Sequence, residues 1–81
     1  MKILSNERNV MIMEADNKIV LISYRTCVAC IDQHTGKKLN TSTRWSVTTS
    51  RHINSFFNAY GIGLSEVDQR EQGFFDTLLD T

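Results

Sequence analysis

Apolar and polar positions divide the chain into two halves with different periods. From Asn9 to Ile31 the apolar residues come in short runs. Asn9–Ala15 (NVMIMEA) predicts a strand, and Asp16-Asn17 a two-residue turn. Lys18–Tyr24 (KIVLISY) predicts a second strand, apolar on both faces as a strand covered on each side would be. Arg25-Thr26 reads as a tight turn or a bulge, and Cys27–Ile31 (CVACI) as a third strand. A turn over His34–Lys37 follows, with Gly36 suited to a left-handed position. Leu39, Thr41, Thr43, Trp45 and Val47 then alternate with polar residues, the period of a half-buried antiparallel strand, and Trp45 is its expected core anchor.

Beyond that point the period lengthens. Ile53, Phe56, Phe57 and Tyr60 are spaced by three and four, which puts them on one face of a helix over Ser50–Tyr60 closed by Gly61. Thr48, Thr49 and Ser50 are all competent N-caps. Ser65 caps a second helical segment whose apolar stripe is Val67, Phe74, Phe75, Leu78 and Leu79, with Gly73 as a weak point that can divide it. Strands followed by helices predict an α+β domain over residues 1–81, an antiparallel β-meander of about four strands with one or two α-helices packed on the sheet.

The 81-residue length leaves a small margin for a core, and the ordinary hydrophobic and charged fractions argue against disorder. Net charge is zero but unevenly placed. Between Arg25 and His52 the cations Arg25, Lys37, Lys38, Arg44 and Arg51 face Asp32 alone, whereas Glu66, Asp68, Glu71, Asp76 and Asp80 make the tail acidic. No run approaches a membrane span, and the first residues lack the apolar core of a signal peptide, so a cytoplasmic location with reduced Cys27 and Cys30 is expected.

Two constellations carry candidate chemistry. At the start of the first helix, Thr49 and Ser50 with Arg51, His52 and the nearby Arg44 and Arg25 can converge on an anion or an acidic partner, with cations in a first turn that favours acids. The plainer reading is that the hydroxyls cap, Arg51 points into solvent and His52 packs on Phe56. The acids Glu66, Asp68, Glu71 and Asp76 are the candidate partner-facing set of opposite sign, with solubility as their plainer role.

Cys27-x-x-Cys30 with His34 and His52 supplies four zinc-competent side chains, but a strand places residues three apart on opposite faces, and buried thiols behave as small hydrophobes. No metal, cofactor or catalytic role is therefore expected, since no nucleophile elbow, Walker loop or dinucleotide loop is present.

Ser23-Tyr24-Arg25-Thr26-Cys27-Val28-Ala29 followed by Arg44-Trp45-Ser46-Val47-Thr48-Thr49-Ser50-Arg51-His52-Ile53-Asn54 resembles a family of small uncharacterised proteins of phages and other mobile elements. Their pattern is S-Y-x-T-x-V-A and then W-S-V-T-T-S-[RK]-H-I-N. The likeness runs from Leu21 to Phe57. It implies a short accessory protein working inside a bacterial host cell, where such proteins commonly bind and inhibit a host protein, including CRISPR–Cas and other defence effectors. Nucleic acid, through the basic central segment, is the alternative partner, and an unpaired edge strand leaves a homodimer open.

Overall fold

The structure, a computed structural model, describes residues 2–61 and 67–78. Six strands form one sheet in chain order: β1 (Lys2–Glu7), β2 (Val10–Ala15), β3 (Lys18–Ser23), β4 (Thr26–Asp32), β5 (Lys37–Thr41) and β6 (Val67–Arg70). β1 to β5 are an antiparallel meander. Helix α1 (Val47–Tyr60) then carries the chain back, so β6 lies parallel to β5, and α2 (Gln72–Leu78) follows. The α+β expectation holds, with strands two to four where the apolar runs placed them.

The two additional strands are the sheet's edges. Of β1 only Leu4 and Ser5 are partly buried, and in β6 only Asp68. Edge strands face water along one side and carry little apolar pattern, which is why Val67–Arg70 reads as helix in the sequence. Ser65 and Glu66, the expected start of that helix, lie outside the described residues.

The central strands are covered on both faces. Ile12, Ile19, Leu21, Val28, Ala29 and Ile31 pack with Ile53, Phe56 and Phe57 of α1. Met13, Val20, Cys27, Cys30 and Leu39 pack with Phe75 of α2 on the opposite face. β4 can serve both cores because its register against β3 slips between Ala29 and Cys27, leaving Val28 as a bulge. That extra residue restores the parity between Cys27 and Cys30. The expectation that they point to opposite faces is therefore corrected: both lie in the α2 core.

The long alternating segment is corrected too. β5 ends at Thr41, its pairing with β4 stopping at Asn40 opposite Ala29, next to the bulge. The Thr43 amide turns back to Thr41 Oγ1 at 3.1 Å, and Ser46 then caps α1 by accepting the Thr49 amide at 3.1 Å. Trp45 is consequently no core anchor: it is 51% exposed. The helix starts three residues before Ser50. At its other end Gly61 is required by close approach, since a Cβ there would lie 2.8 Å from both Lys38 Cδ and the Phe57 carbonyl.

Candidate functional site

The meander sends alternate turns to opposite ends of the sheet. One end gathers the Arg8-Asn9 and Tyr24-Arg25 turns, which are joined by the Tyr24 amide to the Asn9 carbonyl at 2.9 Å. The 42–46 segment and the N-terminus of α1 lie there too, and the Ser42 amide bonds the Arg70 carbonyl at the end of β6 (2.9 Å). The other end holds the 16–17 and 33–36 turns, joined by the Gln33 amide to the Asn17 carbonyl at 2.7 Å. All five arginines, Arg8, Arg25, Arg44, Arg51 and Arg70, fall at or within two helical turns of the first end. All four lysines, Lys2, Lys18, Lys37 and Lys38, fall toward the second.

Arg70 pairs with Asp68 at 3.8 Å and donates to the Gln69 carbonyl. Arg8, Arg25, Arg44 and Arg51 are exposed, and their guanidinium groups make no hydrogen bond or ion pair with the described residues.

Beneath the arginines, the two motif stretches meet in a chain of hydroxyls. Ser46 Oγ and Thr49 Oγ1 are 3.2 Å apart, Thr49 Oγ1 and Ser23 Oγ 3.2 Å, and Ser23 Oγ and His52 Nδ1 2.9 Å. Ser23 and Thr49 are 2% and 4% exposed. One direction uses each hydroxyl proton once: Ser46 donates to Thr49, Thr49 to Ser23 and Ser23 to Nδ1, which puts the ring proton on Nε2. His52 in turn stands against the Tyr24 ring, centroids 5.9 Å apart and tilted by 34°. The chain ties the end of β3 to the first turns of α1, the strand-to-helix corner.

Of the sequence-derived candidates, Thr49 and His52 are joined in this network, while Arg44 and Ser50 line one cleft of about 340 Å3 with Trp45, Ser46 and Val47. Arg25 lines a separate cleft with Asn9 and Met11. Since the cap is Ser46, Arg51 and His52 fall beyond the first turn of α1, and the idea of cations placed against the helix dipole is withdrawn. His52 contacts Tyr24 and Ser23. Sequence reasoning passed over Ser23, the Ser46 cap and the exposure of Trp45, although the S-Y and W-S ends of the two motifs contain all three.

The acidic candidates do not form one face. Asp68 lies on β6 between Lys37 (3.9 Å) and Arg70 (3.8 Å), and Asp76 accepts from Gln72 Nε2 at 2.9 Å. Glu71 is exposed between β6 and α2, and Glu66 lies outside the described residues.

The four zinc-competent side chains are separated. Cys27 and Cys30 face α2, His52 lies on the α1 side, and His34 is in the turn at the lysine end. Burial, with the neighbouring Cys30 thiol adding to it, pushes the Cys27 thiol up to about 12. Burial likewise pushes Cys30 up to about 11. Both thiols are protonated at neutral pH, which disfavours metal binding and nucleophilic attack. No described helix is long and apolar enough to cross a membrane.

This six-stranded α+β sheet with a hydroxyl-linked corner belongs to a family of unknown function, DUF8033, whose model matches residues 2–76. No curated protein and no solved structure matches the chain.

Proposed function

We propose that the protein is a small non-enzymatic binding module that docks through its arginine end on an acidic surface of a host protein. The observation that carries this is the set of four exposed arginines without partners among the described residues, gathered where Tyr24 and Trp45 are also exposed. Arginine, tyrosine and tryptophan are the residues most enriched at the energetic centres of protein interfaces. The resemblance of the two motif stretches to phage accessory proteins points to inhibition of a defence effector, CRISPR–Cas among them, inside a bacterial host cell. Occlusion of the effector's acidic surface needs no chemistry from the module.

A catalytic reading would rest on the Ser23–His52 pair. Ser23 opens toward a cleft lined by Tyr24 and Trp45, whereas His52 lines a different one, between α1 and β1–β2, with Glu7 and Arg8. With Ser23 only 2% exposed and the two side chains opening to different cavities, we read the pair as a structural link.

Capture from bacterial lysate tests the docking reading. The native chain is expected to retain a specific host protein, and the Arg25→Ala, Arg44→Ala, Arg51→Ala triple variant to lose it while keeping its circular dichroism spectrum. Equal capture by both proteins, or none by either, would overturn it. The alternative partner, nucleic acid, would draw on the same arginines.

A further inference from the structure

We infer that the cleft between Tyr24 and Trp45 is a stacking site for an unpaired nucleobase, through which the arginine end also binds single-stranded nucleic acid. The cleft measures about 260 Å3 and is lined by Ser23, Tyr24, Thr26, Trp45, Ser46 and Thr49. Two half-exposed aromatic side chains flank a floor of hydroxyl residues.

Both rings are held before any ligand arrives. Trp45 Nε1 donates to Gln72 Oε1 at 3.1 Å, and Gln72 Nε2 is itself fixed on the Cys27 carbonyl (2.7 Å) and Asp76 (2.9 Å). Tyr24 stands against His52, which Ser23 holds. Exposed aromatics on a surface are ordinarily free to rotate, and fixing them beforehand lowers the ordering entropy that a ligand must overcome.

The backbone under Tyr24 is also unusual. Tyr24 and Arg25 both have positive φ, 49° and 69°, a conformation that disfavours side chains by about 1–2 kcal/mol per residue. A two-residue hairpin turn favours Asn-Gly there, so folding alone does not account for Tyr-Arg.

The charge and the floor define the ligand. Arg25 follows Tyr24 in the turn, Arg44 lines the cleft adjoining Trp45, and Arg51 lies in the second turn of α1. Cations beside stacking rings are what a single strand needs, phosphates on one and base faces on the other. Ser23, Ser46 and Thr49 are bonded to one another, and only the Thr26 hydroxyl is left without a partner among the described floor residues. The cleft therefore offers ring faces and few edge contacts, which suits any base and gives weak sequence preference. A base inside a duplex keeps its faces stacked on its neighbours and is excluded.

Trp45 is the only tryptophan, so its fluorescence reports the cleft directly. Titration of the whole chain with a short oligothymidylate at low salt should quench it to saturation, at least tenfold more tightly than a duplex of equal length. Affinity should fall with salt with a log–log slope of about −2, from three arginines on single-stranded phosphates. Arg44→Ala should make the slope shallower by about 0.7. Tyr24→Asn keeps a residue that tolerates the left-handed turn while removing the ring, so it should weaken binding about tenfold with no loss of thermal stability.

No quenching at low salt, equal affinity for duplex, or unchanged binding by Tyr24→Asn would each overturn the inference. The readouts separate it from protein docking. A captured host protein without quenching would remove the nucleobase site and leave the docking surface, whereas quenching without a captured protein would do the reverse.

Discussion

The two ends of the sheet are built from the same strands by opposite rules. At the lysine end each turn carries residues suited to it. Asp16, with φ 54°, is a type that tolerates the left-handed region, and Gly36 takes φ 75° with no Cβ to oppose it. Asp32 Oδ1 accepts the amides of His34 (2.9 Å) and Thr35 (3.3 Å), closing the 33–36 turn on itself. At the arginine end Tyr24 and Arg25 occupy positive φ without that help, two aromatic side chains stand half-exposed, and four guanidinium groups have no described partner. Left-handed positions held by Tyr and Arg, together with four guanidinium groups lacking a described partner, distinguish the arginine end and make it the one on which the proposed docking rests.

The largest effect expected to sharpen this contrast comes from Ser23→Val. It removes the central hydroxyl of the corner and leaves buried Thr49 and His52 Nδ1 without their shared partner. Unfolding in urea should show a loss of about 2–3 kcal/mol, in keeping with an unsatisfied buried polar group. Thr35→Val, an exposed side chain in the opposite turn, should stay within about 0.5 kcal/mol of the native chain. Equal effects at the two sites would erase the distinction between a linked corner and a simple turn.

Exchange of turn residues comes next. Replacing Tyr24-Arg25 by Asn-Gly should raise stability by about 1–2 kcal/mol, since it relieves two left-handed positions. Gly36→Ala should lower it by about 1 kcal/mol, by creating one. Thermal denaturation of both variants reads the pair. Destabilisation by Asn-Gly would show that the Tyr24–His52 contact outweighs the backbone strain.

The smallest effect is electrostatic and belongs to the lysine end. Slight loss of hydration raises the Asp32 carboxyl, but the amides of Thr35 and His34, with Lys18 and His34 as nearby charges, outweigh it, so its pKa lies below the ordinary 3.8. A depressed carboxyl stabilises the fold above its unfolded value, and that contribution is lost as pH falls through the folded value. Urea midpoints measured from pH 5 downward should therefore decline less in Asp32→Ala than in the native chain. Parallel decline would remove Asp32 from the account of that turn.

The helix α1 was legible because its apolar stripe is local: Ile53, Phe56, Phe57 and Tyr60 sit on one face whatever surrounds them. Its first turn was not. Ser46, Thr48, Thr49 and Ser50 can all cap, and the choice of Ser46 accompanies the early end of β5 beside the Val28 bulge. The two motif stretches gave the candidate site in outline, with Thr49, His52 and Arg44. The joining of Thr49 and His52 to Ser23 depends on contacts between residues 26 and 29 positions apart. Periodicity carries no information at that range.

Residue order alone determined the central strands, the apolar face of α1 and the α+β class, since each follows from side-chain period along a few consecutive residues. The separation of arginines from lysines by end was not determined by it, since Arg44 and Arg70 reach the arginine end only because β5 stops at Thr41 and β6 forms. Tertiary structure decided the rest. It added two edge strands with almost no apolar signal, turned Cys27 and Cys30 onto one face through a single bulge, and left Trp45 outside. In each case the outcome turns on which strand finds a neighbour and where pairing stops, and that is settled by competition among distant segments for the same sheet edge.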